Sequence, residues 1–255
     1  MSYNKYYTYK KQISYDGGTT WIDVFPNEFQ PSGSPIGTYD TLEECEAPSL
    51  NGKYKFTLSG SSVVSAECDS TSAITSADTS AYEYTLIYAD IGDCVTSIGN
   101  GAFGDCVILK RVNISNTVTS IGRNAFASCL SLTKIGIPNS VTSIGIQAFI
   151  ACIALETMTI PDSVTSISGS AFLNCSGLTS VTIGSGIASI GGGAFHYCKN
   201  LSSITIEATT PPTLGSNAFG ATSSNLRIYV PSESVEAYKS ASGWSNYASR
   251  IQAIS

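Results

Sequence analysis

The chain has 255 residues, only 13% of them charged, and a net charge of −6. That length holds one large domain or two smaller ones with a full apolar core; so few charges leave a surface made largely of Ser, Thr, Asn and Gly, with no basic footprint for nucleic acid. Residues 1–94 carry five Lys/Arg against thirteen Asp/Glu, net −8, whereas 95–207 and 208–255 each come to +1, so the acidic first third is expected to differ in kind from the rest.

The start, Met-Ser-Tyr-Asn-Lys-Tyr-Tyr, has no apolar stretch of a signal peptide. No run of about 18 apolar residues occurs anywhere, so no transmembrane span and no membrane insertion are expected. Residues 1–47 hold seven aromatics within the first 25 positions. Ser14-Tyr15-Asp16-Gly17-Gly18-Thr19-Thr20-Trp21 resembles the Asp-box, the hairpin corner repeated around sialidase propellers. One copy cannot make a propeller, so residues 1–47 are expected to be a small β module in which Asp-Gly-Gly turns a hairpin over Trp21. Within 48–85, Gly52–Leu58 and Ser61–Val64 predict another hairpin around Ser59-Gly60, and a Ser/Thr/Ala-rich stretch from Asp69 to Ser80 leads onward.

From 86 to 230 the sequence repeats itself. Val-Thr-Ser-Ile-Gly starts at Val95, Val118 and Val141, and returns with small changes at Val164 and Ile187, each step 23 residues. Ala-Phe follows every time (Phe103, Phe126, Phe149, Phe172, Phe195), then a cysteine (Cys106, Cys129, Cys152, Cys175, Cys198), then Leu-x-x-[Ile/Val/Met]-x-Ile. Leu86–Ile91 fits the strand of a preceding unit, and Leu214–Phe219 with Leu226–Val230 a sixth, longer one without its cysteine. In each unit the apolar residues two apart share one face of a strand. Val95 and Ile98 point inward from the opposite side of the coil, and Phe103 fills the space between. Gly99, Gly122 and Gly145 are expected to turn a corner at positive φ, and Pro138 and Pro161 to end two strands. No unit buries its own apolar face, so stacking is what makes the core. At 231–255, Ser232 or Ser234 is expected to cap a short helix, with Trp244 and Tyr247 covering the open end.

The unit Val-Thr-Ser-Ile-Gly-x-x-Ala-Phe-x-x-Cys-x-x-Leu-x-x-Ile-x-Ile-Pro resembles the leucine-rich repeat of the BspA-like family over residues 86–230. The resemblance implies a leucine-rich-repeat solenoid with a parallel β sheet on one face and turns and short helical segments on the other. It also implies adhesion or protein binding at a bacterial surface. The chain departs from the general leucine-rich-repeat pattern where Asn is expected after the strand: Thr117, Ser140, Ser163 and Gly186 stand there, so no Asn ladder forms.

The five column cysteines read as small buried hydrophobes, and no Cys-x-x-Cys pair or partner His suggests zinc. Cys45, Cys68 and Cys94 lie outside the column, and a Cys45–Cys68 disulfide is one pairing open to them. His196, the single histidine, occupies a variable slot and reads as structural. Asp105, Glu156, Asp162 and Glu207 scatter over different slots, offering no carboxylate pair for glycoside hydrolysis. The chain is therefore expected to be no enzyme and to need no cofactor or metal.

The candidate binding face is the outward side of the sheet: Lys110, Arg111, Asn113, Lys134, Glu156, Thr157, Thr159, Arg227 and Tyr229. A protein or glycoprotein ligand is the expected partner, with Lys110, Arg111 and Lys134 as a basic patch for an acidic one. The alternative to an extracellular or cell-surface adhesin is a phage tail or fibre accessory using the repeats for host recognition. Ice binding by Thr96, Thr119, Thr142 and Thr165 is disfavoured because Ala188 interrupts the row.

Overall fold

A computed structural model of the chain describes residues 52–60, 62–66 and 73–254, and the backbone of three strands at Tyr6–Thr8, Lys11–Ser14 and Trp21–Val24. The expected repeat solenoid is the observed architecture. Its long sheet runs through parallel strands at Leu86–Ile91, Arg111–Asn113 and Lys134–Ile135, then Thr157–Ile160, Ser180–Ile183, Ser203–Ile206 and Arg227–Val230. Side chains alternate as a strand requires: Met158 and Ile160 are buried while Thr157 and Thr159 are exposed. Between Lys134–Ile135 and Thr157–Ile160 the pairing loosens to a bond from Glu156 N–H to Thr133 O at 3.3 Å.

The Val-Thr-Ser-Ile segments build a second parallel ladder of two-residue strands, Ser97–Ile98, Ser120–Ile121, Ser143–Ile144, Ser166–Ile167 and Ser189–Ile190. Ala73–Ile74 precedes them and Thr213–Leu214 follows. The lead-in to the repeats thus already winds as a coil: Ile74 pairs with Ile98 and is fully buried.

The third side is a ladder of turns. Ala102, Gly104 and Cys106 N–H donate three residues back, while Phe103 N–H donates to Ala125 O of the next coil at 2.6 Å. Two slots per coil adopt the left-handed conformation, one occupied by Asn124 and Gln147, the other by Asp105, Ser128, Ala151 and Tyr197, at φ between 53° and 60°. Here the structure corrects the sequence reading. Positive φ falls at these residues, and at Gly101 and Gly193 in the first of the two slots, whereas Gly99, Gly122 and Gly145 are glycine because the neighbouring coil comes too close. A Cβ on Gly145 would lie 2.6 Å from the Gly122 carbonyl carbon, and one on Gly99 2.9 Å from Ile74 O.

Inside, the repeat phenylalanines form one continuous stack. The rings of Phe103, Phe126, Phe149, Phe172 and Phe195 follow at 5.1 Å with interplanar angles of 8° or less. Phe56 meets one end edge-on and Phe219 with Trp244 closes the other. The slot that lacks Asn carries a hydroxyl ladder instead. Thr117 Oγ1, Ser140 Oγ and Ser163 Oγ donate to the carbonyls of Val95, Val118 and Val141 at 2.6–2.7 Å. A short hydroxyl so placed satisfies a buried carbonyl as Asn would. Gly186 interrupts the row because a Cβ there would collide with Asp162 O.

At the N-terminal end the expected hairpin is present as Tyr54–Leu58 against Ser62–Ala66, turning at Gly60 with φ 85°, and it pairs antiparallel with Leu86–Ile91. Tyr6–Thr8 adds antiparallel to Ser62–Ala66, and Lys11–Ser14 pairs antiparallel with Trp21–Val24. The Asp-Gly-Gly turn and the packing of Trp21 lie outside the described residues, as do Cys45 and Cys68. At the C-terminal end the helix spans Val235–Ser240, but neither serine caps it through its side chain. It is held by packing: Tyr238 OH donates to Ala208 O at 2.8 Å and Trp244 Nε1 to Pro212 O at 2.7 Å. Ile251–Ala253 then joins the long sheet parallel to Arg227–Val230, a strand the sequence reading had not separated from the cap.

Candidate functional site

The parallel register fixes where the nine candidate residues stand. Arg111 sits in one row between Tyr88 and Lys134, and Asn113 is the register partner of Asp90. Lys110 and Lys134 are exposed, while Arg111 and Asn113 are half-buried. Arg111 Nε donates to Asn113 Oδ1 at 3.0 Å, and Asn113 Nδ2 donates to Asp90 Oδ1 at 2.5 Å. Arg111 and Lys134 are thus register neighbours, and Arg111 is oriented through Asn113 by the Asp90 carboxylate. Asp90 holds Asn113, and Asn113 in turn holds the Arg111 guanidinium by its Nε, while Lys110 and Lys134 stand open to solvent.

The remaining candidates do not join that group. Glu156, Thr157 and Thr159 are exposed in the central coil, where Thr157 lies beside Ser180 and Thr159 beside Thr182. Arg227 pairs with Ser203 and Tyr229 with Thr205. Four strand steps separate Lys134 from Arg227, about 19 Å at the usual spacing. Arg227 bends back on its own chain, donating from one terminal nitrogen to Asn225 O and Leu226 O at 3.3 Å. The face is thus mostly hydroxyl-bearing, with Arg111 and Lys134 side by side toward its N-terminal end, Glu156 in its central coil and Arg227 toward the other end. Tyr88 and Asp90 belong with Arg111 and Asn113 and were missed as site residues. Their signal was present: they lie 23 residues before Arg111 and Asn113.

The cysteine column is built as a structural feature. All five thiols are free and fully buried. Cys129, Cys152, Cys175 and Cys198 each donate from Sγ to the carbonyl of a phenylalanine one coil back, at 3.1 Å. Burial pushes the Cys106 thiol up to about 12, with Glu83 and Asp105 adding to it. Burial likewise holds Cys129 and Cys175 well above the ordinary thiol range. Raised folded-state values mean that the fold retains these protons. Their stabilising contribution is complete below the ordinary value of 9.0 and falls as pH rises above it, for Cys106 over the range up to about 12. The urea midpoint is accordingly expected to drop above pH 9, and the Cys106→Ala/Cys129→Ala/Cys175→Ala variant to lose most of that slope. A thiol reagent that labels the native column rapidly at neutral pH would show the assignment wrong.

Cys94 is disulfide-bonded, to a partner outside the described residues. His196 is half-buried with its edge against Tyr197, ring centroids 4.3 Å apart, and its Nδ1 has no hydrogen-bond partner. Gly220 leaves the room in which that ring lies. Among the described residues no group of His, Cys, Asp and Glu has the arrangement of a metal site, and no helix is long and apolar enough to cross a membrane.

The family model described as a BspA type leucine rich repeat region matches in six copies, over residues 75–198 and 119–242. Similar solved structures include a leucine rich repeat protein of T. pallidum, 29% identical over 51% of this chain and 60% of that one, with a TM-score of 0.47. The pneumococcal vaccine antigen PcpA is 21% identical over 65% and 39%, with a TM-score of 0.50, and shares the fold. A leucine rich cell surface protein of Faecalibacterium prausnitzii is 36% identical over 52% and 42%, with a TM-score of 0.40. The chain spans 39% to 60% of the length of these three proteins. No curated protein matches it.

Proposed function

The chain belongs to the BspA-type leucine-rich repeat family, and from that premise we propose that it is a non-enzymatic adhesion scaffold of a bacterial surface, binding an acidic protein or glycoprotein on its long sheet. The observation that carries the reading is the row of Arg111 and Lys134, with exposed Lys110 beside it in the chain, at one end of a face that further on is mostly Ser and Thr and carries Glu156 and Arg227 as its other charges. Solenoids commonly bind through such a continuous sheet, because neighbouring coils present the same slot at regular spacing. Tyr88 adds an aromatic surface in the same row as Arg111 and Lys134, suited to a sugar or a side chain beside the anionic group.

Sialylated mucin is the probe, with desialylated mucin as control. Binding is expected to weaken with added salt, since exposed charges are screened within about 10 Å at 0.1 M. The Lys110→Glu/Lys134→Glu variant is expected to lose about tenfold in affinity and to flatten that salt dependence. Unchanged affinity and salt slope in the variant reject the patch, and cleavage of mucin glycan or peptide by the chain rejects the non-enzymatic reading.

A further inference from the structure

The turn side carries a pattern that the sheet face does not explain. Of the six large apolar side chains most open to solvent among the described residues, four lie there: Leu130 at 39%, Ile146 at 49%, Ile153 at 43% and Tyr197 at 48%. Three of them flank the buried cysteine column. The slot before the cysteine reads Asp105, Ser128, Ala151, Asn174, Tyr197 along the stack; the slot after it reads Val107, Leu130, Ile153, Ser176, Lys199. These residues are exposed or half-buried, on either side of a fully buried thiol. The two slots hold one acid, on the first coil, and one lysine, on the fifth.

The surface is also straight. Successive phenylalanine rings beneath it are parallel to within 8° over five coils at steps of 5.1 Å, so the stack does not bend appreciably along its length. A straight strip of this kind matches itself when turned around. A two-fold axis through Cys152, normal to this side, exchanges the first and fifth coils and exchanges the two slots. It sets Asp105 against the partner's Lys199, Tyr197 against the partner's Val107, Leu130 against the partner's Asn174 and Ile153 against the partner's Ala151. Each charge meets its opposite about 10 Å from the axis, two steps of 5.1 Å, and the exposed isoleucine lies at the centre. A translated, parallel arrangement would instead set like slots together and leave both charges unanswered.

We infer that the turn side is a self-association surface, on which a second copy of this chain docks antiparallel through Ile153, Leu130 and Tyr197, with Asp105–Lys199 pairs at both ends. Such an isologous contact is closed, so it yields a dimer and no filament. It leaves the sheet face of both copies free, and two weak ligand sites on one particle gain from effective concentration.

Sedimentation velocity on the full chain is the test, with the thermal midpoint of each variant recorded to separate loss of association from loss of fold. The wild type is expected to dimerise reversibly. Ile153→Asp and Lys199→Glu are each expected to raise the dissociation constant by at least about tenfold, the effect of removing roughly 1.4 kcal/mol from the contact. The Asp105→Lys/Lys199→Glu variant, which swaps both charges, is expected to return to within about threefold of the wild type, because the pairing is restored with its sign reversed. Three results overturn the proposal: a wild type that stays monomeric, a dimer that Ile153→Asp leaves intact, or a charge-swapped variant no better than Lys199→Glu alone.

Discussion

Phe149→Ala is expected to lower the free energy of unfolding by about 3–5 kcal/mol, the range for deleting a buried aromatic side chain without full collapse of the cavity. Phe149 is fully buried and stacked on both faces, 5.1 Å from Phe126 and 5.1 Å from Phe172. Its backbone is equally committed: the N–H donates to Ala171 O at 2.7 Å and the carbonyl accepts the Cys175 thiol at 3.1 Å. The coils on either side are therefore held at their spacing by hydrogen bonds that do not involve the ring, and they cannot close on the space it leaves. In a solenoid each coil is coupled mainly to its neighbours, so a void in the central coil weakens the link between the two halves as well as the total stability. Urea unfolding should show a lower midpoint and a broader transition than the same deletion at Phe219, whose ring is tilted 18° and sits 5.8 Å from Phe195 at the edge of the stack. A loss below about 1 kcal/mol, far under the usual cost of such a deletion, would mean that the coils repack and that the stack is not the framework described above.

The legibility of this molecule follows from where its information is periodic. Val95, Ile98, Phe103, Cys106 and Leu109 return every 23 residues, and the structure buries every one of them completely or nearly so. A repeated apolar slot has one physical meaning, burial between like coils, so fold and core could be read without coordinates. The glycine slots were harder, because glycine answers two different needs. Gly145 is required by the approach of the Gly122 backbone, while positive φ falls to Gln147 and Ala151 two and six positions on, residue types that give no warning of it. The hydroxyl ladder of Thr117, Ser140 and Ser163 was hidden for a related reason: short polar residues serve many purposes, and their bonds run to main-chain carbonyls of another coil. The candidate face was half legible. Register set Lys134 beside Arg111, but the carboxylate that steadies Arg111 comes from Asp90 through Asn113, and a side-chain relay of that kind is not written in the 23-residue spacing that aligns the two strands.

Asp78→Ala is expected to cost about 3–5 kcal/mol, as when one member of a buried ion pair is removed and the other is left in place. Lys53 Nζ lies 3.2 Å from Asp78 Oδ1, with 4% and 15% of the two side chains exposed. The same carboxylate accepts from Thr75 N–H at 2.8 Å and from Thr75 Oγ1 at 3.1 Å through Oδ2, closing the start of the short helix Ser76–Thr79. From that helix the Thr79 hydroxyl donates to Ala102 O on the first full coil. On the other side, Lys53 N–H donates to Ala66 O and Lys53 O accepts from Gly92 N–H, both at 2.9 Å. One ion pair thus joins the antiparallel hairpin, the entry helix and the first parallel strand, where the pairing changes from antiparallel to parallel. Asp78→Asn separates the contributions, since it keeps an acceptor for Thr75 and removes the charge facing Lys53; it should fall between wild type and Asp78→Ala. In a cycle with Lys53→Met, the double variant should be more stable than the sum of the single losses predicts, because both substitutions remove the same Lys53–Asp78 contact. The loss should be local as well as global, with amide exchange rising first in Tyr54–Leu58 and Leu86–Ile91 and last in the central coils. Additive losses in the cycle, or exchange that rises evenly along the solenoid, would show that the pair does not hold this junction.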